Sequence, residues 1–180
     1  MACFRLFGCG VMMAMYLGVL TAQVGAAPQA EDVAPVLRDM SPVTDEMLRS
    51  PSADDWLHWR RTSDGQGYSP LAEINRDNVQ HLQLAWSWAM DPGSQVTTPV
   101  VHDGVMFLAS PGGVIQALDA ATGDFLWEYR DRSSRRQNSV RGLSIYKDAL
   151  YLNTSDARIV AVDARTGDKV WDVQVADPET

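Results

Sequence analysis

From residue 100 onward, short apolar runs alternate with clusters of turn-forming residues. Runs at 100–101, 105–108, 114–118 and 125–129 are separated by Asp103-Gly104, by Pro111-Gly112-Gly113 and by a Thr-Gly pair. Short apolar runs punctuated by Asp-Gly and Pro-Gly predict strands joined by tight turns. The same layout returns at 142–146, 150–153, 159–162 and 169–175. Upstream, the pattern predicts a strand over 82–88, fed by a polar turn or short helix within 74–84. It also predicts a turn at 64–67, a helix start at 52–56 and one short helix near 45–49.

The two β-rich units are copies. Residues 117–127 read Ala-Leu-Asp-Ala-Ala-Thr-Gly-Asp-Phe-Leu-Trp, and 161–171 read Ala-Val-Asp-Ala-Arg-Thr-Gly-Asp-Lys-Val-Trp, 44 positions later without a gap. Phe107 falls on Tyr151, Ser110 on Thr154 and Ile115 on Ile159. A period of this size is near the length of one β-propeller blade. Asp119 and Asp163 suit acceptance of backbone N–H bonds in the following turn. Gly123 and Gly167 suit a positive-φ position. Trp127 and Trp171 offer a flat side chain to cover a neighbouring blade, and Trp86 reads the same way. A catalytic carboxylate would not recur in each repeat, so both aspartates read as structural. The expected fold is all-β, a partial propeller of two to three four-stranded blades, too few to close a ring.

The beginning of the chain is different in kind. Among residues 1–26 only Arg5 is charged, an apolar stretch covers 6–20, and Val24-Gly25-Ala26 gives small side chains before a break. This is the pattern of a secretory signal peptide, and its apolar part is shorter than the roughly 20 residues of a membrane span. Both cysteines, Cys3 and Cys9, lie within it. The mature chain would have neither a disulfide nor a cysteine metal site, and no stable membrane span. Residues 27–50, rich in Ala, Pro and acid, read as a mobile lead-in, and 51–180 as the folded part. The net charge of −8 disfavours nucleic acid as a partner.

His58, His81 and His102 show no metal-ligand spacing, and His102, beside a hairpin turn, is expected to be exposed. Trp56 and Trp59 lie outside the repeat and read as a clasp on the opening segment. The basic run 130–136 reads as a solvated loop.

The Ala-x-Asp-x-x-Thr-Gly-x-x-x-Trp motif resembles the tryptophan-docking repeat of the pyrroloquinoline quinone (PQQ)-dependent alcohol dehydrogenases, exported quinoproteins with an eight-bladed propeller. Trp59, Tyr68-Ser69-Pro70-Leu71, Ile74-Asn75, Asn78-Val79, Leu84-Ala85-Trp86 and Thr98-Pro99-Val100-Val101 stand in the order of that family's opening segment. The resemblance covers about residues 52–177. It implies that Arg141, in Val140-Arg141-Gly142, contacts the acidic groups of the quinone, and that the Thr154 hydroxyl reaches the same cofactor. The chain departs from the family pattern at two places. Val96 stands where a glutamate is common, and Arg135-Arg136 stand where many members carry adjacent cysteines.

The resemblance implies a cofactor of PQQ with calcium or a lanthanide. The metal ligands and the catalytic base belong to later blades, so no residue of this chain is assigned to either. In the complete enzyme the metal would polarise the quinone carbonyl, a base would take the proton of a small alcohol, and hydride would pass to the quinone. An acceptor such as a cytochrome would receive the electrons. The chain is read as an N-terminal part of such a periplasmic enzyme, inactive alone. The alternative is a non-enzymatic propeller scaffold of the cell envelope with similar repeats.

Overall fold

The computed structural model describes residues 33–132 and 140–177. The proposed signal peptide and the Arg135-Arg136 pair lie outside the described residues. Two four-stranded antiparallel sheets form the body, each a simple meander. The first contains β1 (Val100–His102), β2 (Val105–Ser110), β3 (Val114–Asp119) and β4 (Phe125–Arg130). The second contains β5 (Ser144–Tyr146), β6 (Ala149–Asn153), β7 (Arg158–Asp163) and β8 (Lys169–Gln174).

The repeat holds in atomic detail. β3 and β4 shift register at Ala117/Leu118, and β7 and β8 shift at Ala161/Val162, 44 residues on. Asp119 Oδ1 accepts from the N–H groups of Ala121 and Thr122, at 2.9 and 3.0 Å. Asp163 Oδ1 does the same for Arg165 and Thr166, at 2.9 Å each. These aspartates are turn-formers, as the repetition implied.

The sheets are joined by indole plates. The Trp86 ring lies on Gly123, where a Cβ would come within 2.6 Å of it, and its Nε1 donates to the Ala120 carbonyl at 3.2 Å. Trp127 repeats this on Gly167 and donates to the Ala164 carbonyl at 3.1 Å. Each tryptophan thus docks on the Thr-Gly turn of the next unit. Only glycine allows the approach, and both glycines hold φ +77, a conformation other residues resist. Trp127 also packs on Phe107, as Trp171 does on Tyr151. Phe107, Ile115, Leu150, Leu152, Val160 and Val162 form the core between the sheets.

Three expectations need correction. Residues 33–50, read as a mobile lead-in, carry core side chains: Leu37, Met40 and Val43 are buried. Here α1 (Pro35–Asp39) precedes α2 (Asp45–Arg49), the latter being the expected short helix. Val43 bridges to Lys147, and the Arg165 guanidinium donates to the Met40 carbonyl at 2.6 Å. Charged residues surround a few spaced apolar ones, so average composition hid the buried face. Residues 82–88 form no strand, because no described neighbour offers them a ladder. They run beside the first sheet, held by Trp86 and by Trp88, whose Nε1 donates to Gln116. Ser52 to Trp56 starts no helix: it is a turn followed by a two-way backbone bridge from Trp56 to Val101. Among the described residues, no helix is long and apolar enough to cross a membrane.

Candidate functional site

Each sheet has two ends, and the register assigns every turn to one of them. Val100 pairs with Phe107 and Ser144 with Tyr151, so the chain entering β1 and β5 lies at the end where β2 and β6 leave. That end collects residues 96–98, the Pro111–Gly113 turn, Asp131, Arg141-Gly142 and the 154–157 turn. The opposite end holds the Asp103-Gly104 and Lys147-Asp148 turns, both Thr-Gly turns and the N-terminal segment.

A cavity of about 380 Å³ lies at the first end, lined by Trp59, Val96, Thr98, Arg141 and Gly142. Its size falls within the roughly 300–1,000 Å³ of small-molecule sites. Arg141 is exposed and makes no hydrogen bond or ion pair among the described residues. An unengaged guanidinium presents a planar fork of donors suited to a carboxylate. Nearby in the chain, the Thr97 and Ser110 hydroxyls are buried without a partner among the described residues. No acidic or amide side chain lines the cavity, so these walls do not supply the oxygen ligands that calcium or a lanthanide needs.

Thr154 is placed at the same end but outside the cavity lining. Its Oγ1 donates to the Arg158 carbonyl at 3.2 Å and accepts from the Arg158 N–H at 3.0 Å, closing its own turn. The structure therefore brings Arg141 and Thr154 to one end and puts only Arg141 in the wall.

Two residues of this end were not singled out from sequence. Arg158 reaches Asp131 at 2.5 Å, Asp172 at 2.7 Å and Asp156 at 3.0 Å, tying the exit of the first sheet to the second. These carboxylates hold its guanidinium firmly protonated, although burial opposes this. Beside it, burial and the charges of Asp131 and Asp172 push the Tyr129 hydroxyl up to about 12. A signal existed: Arg158 stands where the first repeat has Val114. Trp59, read from sequence as a clasp on the opening segment, lines the cavity instead, since its position depends on how that segment folds back.

The opposite end holds a second cluster. His102 is fully buried, against the expectation of exposure, because the N-terminal segment covers it. Its Nε2 lies 2.9 Å from the Ser41 carbonyl and its Nδ1 3.3 Å from Asp55 Oδ2. Both neighbours are acceptors, an arrangement that favours the ring form donating from both nitrogens. Burial alone would lower its pKa. The bonds to Asp55 and to the Ser41 carbonyl, with the charges of Asp55 and Asp103, outweigh that and raise it above 6.5. Asp103 Oδ2 in turn accepts from Ser41 N–H and Oγ–H at 2.8 and 2.6 Å. Asp55, His102 and Asp103 sit close enough to suggest a metal site. Both ring nitrogens already face an acceptor within the fold, and these contacts tie the N-terminal segment to the end of β1.

Residues 56–173 match the family described as "PQQ: Glucose/ethanol/alcohol dehydrogenase, beta-propeller domain". Quinohemoprotein alcohol dehydrogenase ADH-IIG of Pseudomonas putida is 38% identical over 112 residues, covering 58% of this chain and 16% of that protein. Its solved structure superimposes with a TM-score of 0.69 at 34% identity, over 76% of this chain and 22% of that one. The quinohemoprotein alcohol dehydrogenase of Comamonas testosteroni is 34% identical over 157 residues, covering 82% of this chain and 22% of that protein. A europium-containing methanol dehydrogenase superimposes with a TM-score of 0.66 at 26% identity, over 74% of this chain and 25% of that one. The chain thus spans only about a sixth to a quarter of the length of these relatives. The docked indoles, the repeated sheets and the match across most of the folded residues lead to one conclusion: this chain belongs to the PQQ-dependent glucose/ethanol/alcohol dehydrogenase β-propeller family.

Proposed function

We propose that the chain is the opening part of an exported PQQ-dependent alcohol dehydrogenase and supplies one wall of its cofactor site. The observation that carries this is the unengaged Arg141 in the wall of a small-molecule-sized cavity, within a chain of this family. The lining suits the cofactor: a guanidinium for a carboxylate, a Thr98 hydroxyl, and an apolar surface at Val96 for a ring. Bound there, PQQ would supply the two-electron acceptor for oxidation of a small alcohol. The part of this chain is to bind and orient. Arg141 would hold an acidic group of the cofactor, and the Arg158 network would fix the exit of the first sheet against the Thr154 turn. Thr154 keeps lone-pair capacity for a second polar contact.

A calcium or lanthanide ion, the catalytic base and a cytochrome-type electron acceptor would have to be met by other parts of the complete enzyme. By itself this chain is proposed to be inactive. Residues 1–26 would direct export to the periplasm, where an amino terminus at residue 27 in the secreted protein would support the assignment.

The test is reconstitution of the complete gene product with PQQ and calcium, followed by alcohol-dependent dye reduction. The expected result is activity in the wild type. Arg141→Lys should weaken PQQ binding about tenfold, because a point charge replaces a two-pronged donor. A wild-type protein that binds no PQQ would sink the proposal and leave the scaffold reading standing.

A further inference from the structure

We propose that residues 40–43 strap the two sheets together at the end opposite the Arg141 cavity, and that the strap lets go of the first sheet when the His102 ring gives up a proton. The device does not depend on what that cavity binds.

The strap grips the same turn of each repeat. Asp103 and Lys147 are equivalent positions, 44 residues apart, in the turns that follow β1 and β5. On the first sheet, Ser41 donates its N–H and its hydroxyl to Asp103 Oδ2 at 2.8 and 2.6 Å, and its carbonyl lies 2.9 Å from His102 Nε2. On the second, Val43 and Lys147 exchange backbone bonds of 2.9 and 2.8 Å. The Arg165 guanidinium donates to the Met40 carbonyl at 2.6 Å and pairs with Asp148. Met40 and Val43 are buried on either side of Ser41. The second repeat has Tyr146 where the first has His102, so of the two grips only the first contains a side chain that ordinarily titrates near neutrality.

His102 is fully buried between acceptors from different segments. Its Nδ1 faces Asp55 Oδ2 at 3.3 Å, its Nε2 faces the Ser41 carbonyl, and Asp103 Oδ2 lies 3.4 Å from Nε2. A doubly protonated ring donates to both sides. A neutral ring has one N–H and one lone pair, so one side must then set lone pair against lone pair. A carboxylate holds a donor more strongly than a neutral carbonyl does, so the remaining N–H stays with Asp55 and the Ser41 carbonyl loses its partner. Burial opposes the charged ring. The bonds to Asp55 and Ser41, with the charges of Asp55 and Asp103, outweigh it, so the grip is whole below pH 6.5 and weakens as pH rises through the raised value. The second sheet keeps its hold, because backbone bonds and a guanidinium do not titrate there.

The test is residue-resolved amide hydrogen exchange on the complete gene product, from below pH 6.5 upward, corrected for intrinsic rates, with and without low urea. Protection of the Ser41 N–H should fall about tenfold across the transition. Low urea should leave that exchange unchanged, because the strap opens without unfolding of the sheets, whereas exchange of the core Val160 N–H should accelerate with urea. In His102→Gln the Ser41 profile should be flat. Wild-type protection at Ser41 that does not change with pH would overturn the inference, as would a fall that persists undiminished in His102→Gln. Equal urea dependence at Ser41 and Val160 would overturn it too, since Ser41 would then open only with the whole fold. Should the variant fail to fold, the wild-type pH and urea series decides alone.

Discussion

Gly167 shows how tightly one residue can be specified. It combines φ +77 with the Trp127 ring where a Cβ would sit, at 2.7 Å. Gly167→Ala should destabilise by about 2–4 kcal/mol, the sum of backbone strain and overpacking. Gly65→Ala, at φ +71 with nothing within 4 Å, should cost only the strain, about 1–2 kcal/mol. Urea midpoints of the two variants check the difference. His102 gives a prediction in pH. Its pKa in the fold is raised above 6.5, so its stabilising contribution is complete below pH 6.5 and is lost as pH rises through the raised value. Wild type should lose stability relative to His102→Gln as pH rises from about 6.5 through the raised value, and the variant's profile should be flatter there. A parallel pair of profiles would contradict a raised pKa for this ring.

At the scale of elements, position within the stack decides what a tryptophan is worth. Trp127 and Trp171 occupy the same place in their repeats. Trp127 is buried on Gly167, while Trp171 remains 41% exposed. Trp127→Ala should cost about 3–5 kcal/mol and Trp171→Ala under about 1 kcal/mol in this chain. Equal losses would mean that the sheets are not coupled through the indole. The N-terminal segment makes a comparable claim. Met40→Ala should cost about 2–5 kcal/mol if this side chain is core, and nothing measurable if 33–50 moves freely; thermal melts of the chain check it. The strands, both Asp-turns and the positive-φ glycines were legible from the 44-residue repeat, because each is a local consequence of local residues. The missing strand at 82–88 was not, because a strand needs a partner and sequence pattern records only one side of the pairing.

The whole molecule exposes apolar surface on both flanks. Val170, Trp171, Val173 and Val175 lie open along and just after β8, and Tyr68, Ile74, Leu82 and Leu84 lie open before the first sheet. Contiguous apolar faces on sheet flanks favour association in water. The chain expressed by itself should therefore sediment as oligomers across the micromolar range, and Val170→Lys with Val173→Lys should shift it toward monomer. A sharp monomer boundary for the unaltered chain would contradict this.

Sequence alone determined the all-β class, the two repeated sheets, the turn role of Asp119 and Asp163 and the positive-φ glycines at 123 and 167. Each follows from residues close in the chain, where spacing and backbone preference suffice. Arg141 was marked by its place before Gly142. Only the tertiary structure decided that Arg141 and Trp59 share a cavity while Thr154 closes its own turn. It alone showed that Arg158 gathers Asp131, Asp156 and Asp172, and that His102 is buried beneath Ser41. The reason is physical: these arrangements depend on which chain segments fold back over which sheet end, and that is settled by long-range burial and charge pairing, which leave no periodic mark in the sequence.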